Sequence, residues 1–373
     1  MVQLIIDGMI NAASPMNLLF MFIGLVAGAV IGCLPGLSAT MAMAILVPFT
    51  FTMDPATGLV MLGAIFMGAM FGGSVSAILL NTPGTPAAVA TTFDGYPMTE
   101  QGKSKEALIG AAAASSFGGF IGAIMLLVLT PPLASAALKF GPPEYFWLSI
   151  FGLTTIASLV RASMLKGLMG GMLGLLISTV GIAPVGGVPR FIMGISQLQI
   201  GIHIIVALIG LFCIPEVIKQ LERGVVKHKA NVNAVGSMFS PVIDVLKSPI
   251  NVIRSGIIGG LIGTLPGAGA NVGGLVAYSE AKRWSKKSEQ FGKGNIEGVI
   301  ASESANNAAV SGSLVPLLSL GIPGAPPVAI LLGALLIHGI QPGPKLFVDY
   351  ALIAYTFMAS LVFASIILFP VGL

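Results

Sequence analysis

The sequence has 373 residues, of which 55% are hydrophobic and only 9% charged. With a mean hydropathy of +0.97, and against about 25% charged residues in a typical soluble domain, it lacks the polar surface that a water-soluble enzyme needs. The 18 Lys and Arg and 14 Asp and Glu leave a net charge of +4, but they lie sparsely between apolar runs, which argues against a nucleic-acid partner and for an integral membrane protein.

The first Lys or Arg is Lys103, so no basic n-region opens the chain and Leu18–Ile31 is expected to be a retained span rather than a cleaved signal. Charge-free stretches cover 8–53, 55–93, 107–138, 145–160, 167–189, 191–215, 255–279, 304–344 and 350–373. A span needs about 20 apolar residues, so the first, second, third and eighth stretches hold more than one element. Nine to twelve elements are expected, with no soluble domain. Strand-like alternation is absent, which argues against a β-barrel. The expected fold class is an all-α integral membrane protein, a polytopic helical bundle. Cys33 and Cys213 both lie in apolar sequence and read as packing residues, not a disulfide framework or metal site.

Basic residues concentrate in 216–254 (Lys219, Arg223, Lys227, Lys229, Lys247, Arg254) and in 282–293 (Lys282, Arg283, Lys286, Lys287, Lys293). The positive-inside rule places both loops in the cytoplasm. The segment between them must then enter the membrane and return, with Gly263-Thr264-Leu265-Pro266-Gly267 at its centre. Pro249 to Leu265 is 17 residues and Ala268 to Lys282 is 15. At 1.5 Å per residue these reach about 22–25 Å, short of a roughly 30 Å hydrocarbon core. A re-entrant hairpin is predicted, with its tip where protein or water covers the backbone.

The same device occurs twice. Gly28–Gly36 reads GAVIGCLPG and Gly259–Gly267 reads GGLIGTLPG; Leu80–Pro86 reads LNTPGTP and Leu320–Pro326 reads LGIPGAP. The two matches come in the same order, offset by 231 residues (Gly28 to Gly259) and by 240 (Leu80 to Leu320). The first LPG hairpin is flanked by Asp7 and Asp54 and the second by basic loops, which predicts two inverted repeats with broken helices, the pattern of secondary carriers. The expected divisions are 1–106 as the first repeat core, 107–248 as connecting spans and basic loop, 249–345 as the second repeat core, and 346–373 as a final apolar span.

Enzyme signatures are missing: no HExxH pair, no Gly-x-Ser-x-Gly elbow, and Pro97 where a phosphate-binding loop ending at Gly102-Lys103-Ser104 requires glycine. The candidate sites are therefore the broken helices. At Asn81-Thr82-Pro83-Gly84-Thr85-Pro86 a helix ends and another begins, and the new N-terminus favours a carboxylate. Gly321, Pro323 and Gly324 offer the matching backbone in the second half. Carbonyls at Leu34, Gly36, Leu265 and Gly267, with Ser38, Thr40 and Asn271 nearby, suit a small cation. Glu303, in ASESANNAA, costs about 2.5–3.5 kcal/mol in a membrane helix. It shares a helix face with Asn306 and Asn307, a candidate cation or proton site; the alternative is a helix cap at the interface. Gly24/Gly28/Gly32 and Gly118/Gly122 have small-xxx-small spacing and are expected to pack helices closely.

These residues resemble a known family. GCLPGL (32–37), FGGSVSAILLNTPGTPAAVATTFDGYPM (71–98), GKSKEAL (102–108), FGPPEYFWL (140–148), GTLPGAGANVGGLVAYSEAKRWSKKSEQFGKG (263–294), ESANNAA (303–309) and LVPLLSLGIPGAPPVAILLGAL (314–335) are similar to the large membrane subunit of tripartite tricarboxylate transporters. The resemblance implies a multi-pass carrier of the bacterial inner membrane for di- or tricarboxylates. It implies a small membrane subunit and a periplasmic solute-binding protein as partners, a sodium or proton gradient as the drive, and no cofactor beyond that ion. It also implies that Asn81–Gly84 and Gly321–Gly324 are paired binding tips, with Leu34–Gly36 and Leu265–Gly267 near the coupling ion. Family chains continue for several more spans, so an end at Leu373 is expected to mark a truncated product. The competing classes are a gradient-independent channel for small anions and a non-transporting scaffold.

Overall fold

The computed structural model describes residues 2–141, 164–183, 187–202, 239–266 and 269–373, with scattered positions between 143 and 151 and between 206 and 218. Among them lie fourteen α-helices: α1 (Val2–Ala12), α2 (Pro15–Cys33), α3 (Ala39–Leu46), α4 (Pro55–Leu80), α5 (Val89–Glu100), α6 (Ser104–Ala137), α7 (Met164–Ser178), α8 (Ser240–Lys247), α9 (Pro249–Gly263), α10 (Gly269–Trp284), α11 (Ile296–Leu320), α12 (Pro326–Ile337), α13 (Leu346–Asp349) and α14 (Ala351–Val371). This tally takes each piece of a broken helix separately and includes the four-residue α13, so it is not a count of the nine to twelve membrane elements expected. A two-residue antiparallel ladder, Gly181–Ile182 with Pro189–Arg190, departs from a purely helical chain.

The helix starts follow local chemistry. Ser14 before Pro15, and Asp54 before Pro55, each combine a capping side chain with a proline that needs no N–H partner. Ser38 caps α3 and Asn295 caps α11 in the same way. Helices α2, α4, α6 and α14 are long and apolar enough to cross a membrane, and α8 and α9 meet at 75°. Along α1 and α2, Ile6, Ile10, Leu19, Phe22, Val26 and Val30 are exposed, an apolar stripe suited to lipid.

Two long helices form the centre. Both α4 and α11 are buried on all sides over most of their length, although α11 carries Glu303, Asn306, Asn307 and several serines. A polar helix is tolerated at that depth only because other helices surround it. The main core draws on both halves of the chain, with Met21, Ile65, Leu314 and Phe357 in one cluster.

The glycine spacings explain how closely the centre packs. A Cβ at Gly28 would meet the Ile65 carbonyl, and one at Gly259 the Ala305 carbonyl; Gly32 lies on Ala69 and Gly263 on Ala309. In return, Gly72 lies on Ala29 and Gly312 on Gly260. Each pair maps onto its counterpart at the two offsets read from the sequence, 231 for the shorter helix and 240 for the longer. The motif match therefore extends to the contacts: α2 sits on α4 as α9 sits on α11. Gly118 and Gly122 bring α6 onto the backbone of Ser304 and Ala308, so the small-residue stripes do pack helices, as expected.

Candidate functional site

Each long helix ends in a left-handed residue that turns the chain back. Asn81 has φ 53° and its N–H bonds the Ser76 carbonyl; Gly321 has φ 76° and its N–H bonds the Leu317 carbonyl at 2.9 Å. After Asn81 the chain folds onto α4, and the Gly84 N–H donates to the Gly73 carbonyl at 3.1 Å. A Cβ on Gly84 would strike the Gly32 carbonyl, and one on Gly324 would lie 2.6 Å from the Ser313 carbonyl. Thr85 and Ala325 are extended, Pro86 opens a short 3-10 turn before α5, and Pro326 opens α12. Asn81 is exposed, Thr82 and Pro83 are half-buried, and Gly84 and Thr85 are buried; Gly321 and Pro323 are half-buried and Gly324 buried.

The first LPG turn lies beside this tip through Gly32. Pro35 and Gly36 (φ 94°) form the corner of a turn closed by the Leu37 N–H on the Leu34 carbonyl at 3.0 Å. That carbonyl is thus already used once, the Ser38 hydroxyl accepts from the Met41 N–H at 3.3 Å, and the Leu34 side chain is exposed. In the second turn Leu265 is likewise exposed. Gly267 and the side chain of Asn271 lie outside the described residues, as does Cys213.

Glu303 is fully buried, which places it inside the bundle and not at an interface cap. Thr91 Oγ1 of α5 lies 2.5 Å from Glu303 Oε1 and 3.0 Å from Ser302 Oγ. Ser115 Oγ of α6 donates to Glu303 Oε2 at 2.9 Å. One turn on, the Asn306 amide donates to the Met70 carbonyl at 3.4 Å. Asn306 Oδ1, both polar atoms of Asn307, Ser311 Oγ and Thr85 Oγ1 are buried without a hydrogen-bond partner. Thr85 packs on Gly73, one turn along α4 from Met70, so tip and polar stripe meet at the same stretch of α4. Buried polar atoms are nearly always satisfied in proteins, by protein or by ordered water; this group of unpartnered ones is the candidate place for a water or a polar ligand.

Residues 18–373 match the tripartite tricarboxylate transporter TctA family. The chain belongs to that family. It is 39% identical over 361 residues, 97% of this chain and 72% of the relative, to an "uncharacterized 52.8 kDa protein in TAR-I ttuC' 3'region" of Agrobacterium vitis. It is 42% identical over 110 residues, 30% of this chain and 46% of the relative, to an "uncharacterized protein in TAR-II ttuC' 3'region" of the same organism. No solved structure matches. The TctA family is one of transporters, not of enzymes.

In this TctA-family chain the structure adds residues that sequence reasoning passed over. Thr91, Ser115 and Ser302 surround Glu303, yet nothing in their spacing marks them. Asp94 was visible only as the charge that ends an apolar run. It is fully buried; Oδ1 accepts the backbone N–H groups of Gly292, Gly294 and Asn295 at 2.8–2.9 Å, and Oδ2 accepts the Tyr278 hydroxyl at 2.8 Å. Asp94 thereby ties α5, the helix after the first tip, to the joint between α10 and α11. His338 stands apart at the end of α12, where burial pushes its pKa down and nearby Asp54 opposes the shift.

Proposed function

We propose that this chain is the substrate-translocating membrane subunit of a tripartite carrier for di- and tricarboxylates in the bacterial inner membrane, driven by an ion gradient. It works with a small membrane subunit and a periplasmic solute-binding protein. The observation that carries this reading is the meeting of the first Pro-Gly tip with the unpartnered polar atoms of α11 on α4. Broken helices facing each other near the midplane are how secondary carriers expose N–H groups to an anion and carbonyls to a cation.

In this reading the two halves are inverted repeats, supported by their shared contacts and by acidic flanks on one LPG turn and basic flanks on the other. Helices α9 and α10, with 15 and 16 residues, reach about 22–24 Å and form a re-entrant hairpin. The carboxylate is held by Asn81, Thr82, Pro83, Gly84 and Thr85 on one side and Gly321, Pro323 and Gly324 on the other. Glu303, Asn306 and Asn307 serve the coupling ion, with the LPG turns at Leu34–Ser38 and Leu265–Asn271 shaping its path.

The test is uptake of labelled citrate and succinate into proteoliposomes holding this chain, its small subunit and its binding protein, under imposed gradients. Accumulation that collapses without the gradient or the binding protein supports the carrier; equilibrating flux independent of both points to a channel. Asn81 refines the test. Alanine at φ 53° adds about 1–2 kcal/mol of backbone strain, whereas Asn81→Gly keeps the turn and removes only the side chain. Asn81→Gly is expected to insert normally and to lower uptake about tenfold or more, the effect of one hydrogen bond to a charged group. Wild-type uptake by that variant would reduce Asn81 to a turn former.

A further inference from the structure

Four oxygen contacts surround Glu303, and counting protons across them leads to an assignment that no motif supplies. The contacts are Glu303 Oε1 to Thr91 Oγ1 at 2.5 Å, Thr91 Oγ1 to Ser302 Oγ at 3.0 Å, Ser302 Oγ to the Val299 carbonyl at 3.1 Å, and Ser115 Oγ to Glu303 Oε2 at 2.9 Å. Each is a hydrogen-bond distance and needs one proton. The three hydroxyls supply three. A proton on Glu303 itself supplies the fourth and satisfies every contact at once.

We infer that the coupling ion held at Glu303 is a proton, and that Thr91 and Ser302 form a hydroxyl chain that reads whether it is bound. This inference rests on the carrier reading above. With Glu303 protonated, Oε1–H donates to Thr91, Thr91 donates to Ser302, and Ser302 donates to the Val299 carbonyl. When the proton leaves, the Thr91 hydroxyl rotates to donate to the carboxylate, and the contact with Ser302 loses its hydrogen bond. No covalent bond other than the O–H of Glu303 is made or broken.

The 2.5–3.0 Å separations around Thr91 are hydrogen-bond lengths, the spacing that a shared proton bridges. Asp94, the other buried carboxylate among the described residues, already accepts four hydrogen bonds and is not free to take up this role. Thr91 lies one turn before Asp94 on α5, directly after the first tip. Loading the proton therefore adds a bond between α5 and α11 and favours the docked tip, which links ion to substrate through one short helix.

The other titratable groups on the packed elements are Asp94, Tyr96 and Glu100 from α5, Lys105 and Glu106 at the start of α6, Asp244 and Lys247 from α8, and Arg254 from α9. Helix α10 adds Tyr278, Glu280, Lys282 and Arg283, α11 itself Glu297, and α14 Tyr355; α4 has none. None of these groups bonds Glu303, whose neighbours are the hydroxyls of Thr91, Ser115 and Ser74 and the amide of Asn306, so its own titration is separable from theirs by mutation.

Two measurements test this. The first is an infrared pH titration of the purified chain, following the carbonyl band of a protonated carboxyl group. The band is expected in the wild type, absent in Glu303→Gln, shifted by about one pH unit in Thr91→Val, and restored in Thr91→Ser. A purely packing role for Thr91 would not move the titration. The second is transport: Glu303→Gln is expected to lose the accumulation of labelled citrate that an imposed pH gradient drives in the wild type. A missing band, accumulation by Glu303→Gln equal to wild type, or wild-type accumulation on a sodium gradient at fixed pH would each overturn the assignment. No uptake by the wild type under any gradient would sink the carrier reading instead, and the infrared titration would still decide the proton.

Discussion

Asp94→Ala is expected to lower the melting temperature of the purified chain more than removal of any other polar side chain described above. Its carboxylate gathers three backbone N–H groups from one short loop, in which Gly292 and Gly294 adopt φ 82° and 96°. Successive N–H groups pointing inward make a concave anion seat, filled here by the protein's own side chain. Alanine leaves these three donors and the Tyr278 hydroxyl without an acceptor. At about 1–3 kcal/mol for each unsatisfied buried group, and bounded by the 3–5 kcal/mol typical of a broken buried charge pair, the loss is a large share of a domain's stability. Asp94→Asn keeps one acceptor oxygen and is expected to recover roughly half of it. The measurement is thermal unfolding in detergent followed by tryptophan fluorescence. An Asp94→Ala chain that melts with the wild type would show that the loop is held by other contacts.

The second large effect is expected at Gly118. A Cβ there would overlap the carbonyl and Cα of Ser304, backbone atoms that cannot swing aside, so α6 must back away from α11. Two bonds cross that seam: Ser115 to Glu303 at 2.9 Å and Ser304 to the Ala114 carbonyl at 3.2 Å. Overpacking of this kind costs about 1–3 kcal/mol, and the same displacement stretches the Ser115–Glu303 bond. Gly118→Ala is therefore expected to lose both stability and at least tenfold in uptake. The control is Gly170→Ala in α7, whose Cβ would meet nothing within 4 Å and which is expected to be neutral or slightly stabilising. Equal behaviour of the two variants, in melting and in uptake, would remove close approach as the reason for glycine at 118.

Much of the scaffold was legible because membrane packing leaves marks at short range. Proline and glycine at helix breaks, and glycine every fourth residue, are read directly, and the duplicated motifs carry over into duplicated contacts. The surround of Glu303 was not legible. Thr91 and Ser115 lie about two hundred residues from Glu303 in the chain, and hydroxyl residues are common in any membrane helix; only the packing of α5 and α6 on α11 selects these two. Asp94 was hidden for the opposite reason, since a lone charge at the end of an apolar run reads as a membrane boundary when it is in fact enclosed. Leu34 and Ser38 show how a motif residue can serve the turn itself: one side chain faces outward and the other caps a helix.

The polarity of α11 also constrains how the chain is made. A helix with an internal glutamate and two asparagines gains little from entering lipid alone, yet every hydrogen-bonding partner named for Glu303 on another helix belongs to α4, α5 or α6, which leave the ribosome earlier. Synthesis order thus builds the receiving socket before the segment that fills it. A circularly permuted chain beginning near residue 249 would present α11 to the translocon before its socket exists. Such a permutant is expected to leave α11 outside the bilayer, accessible to protease, even though its finished set of contacts would be the same; full protease protection would show that α11 needs no waiting partner.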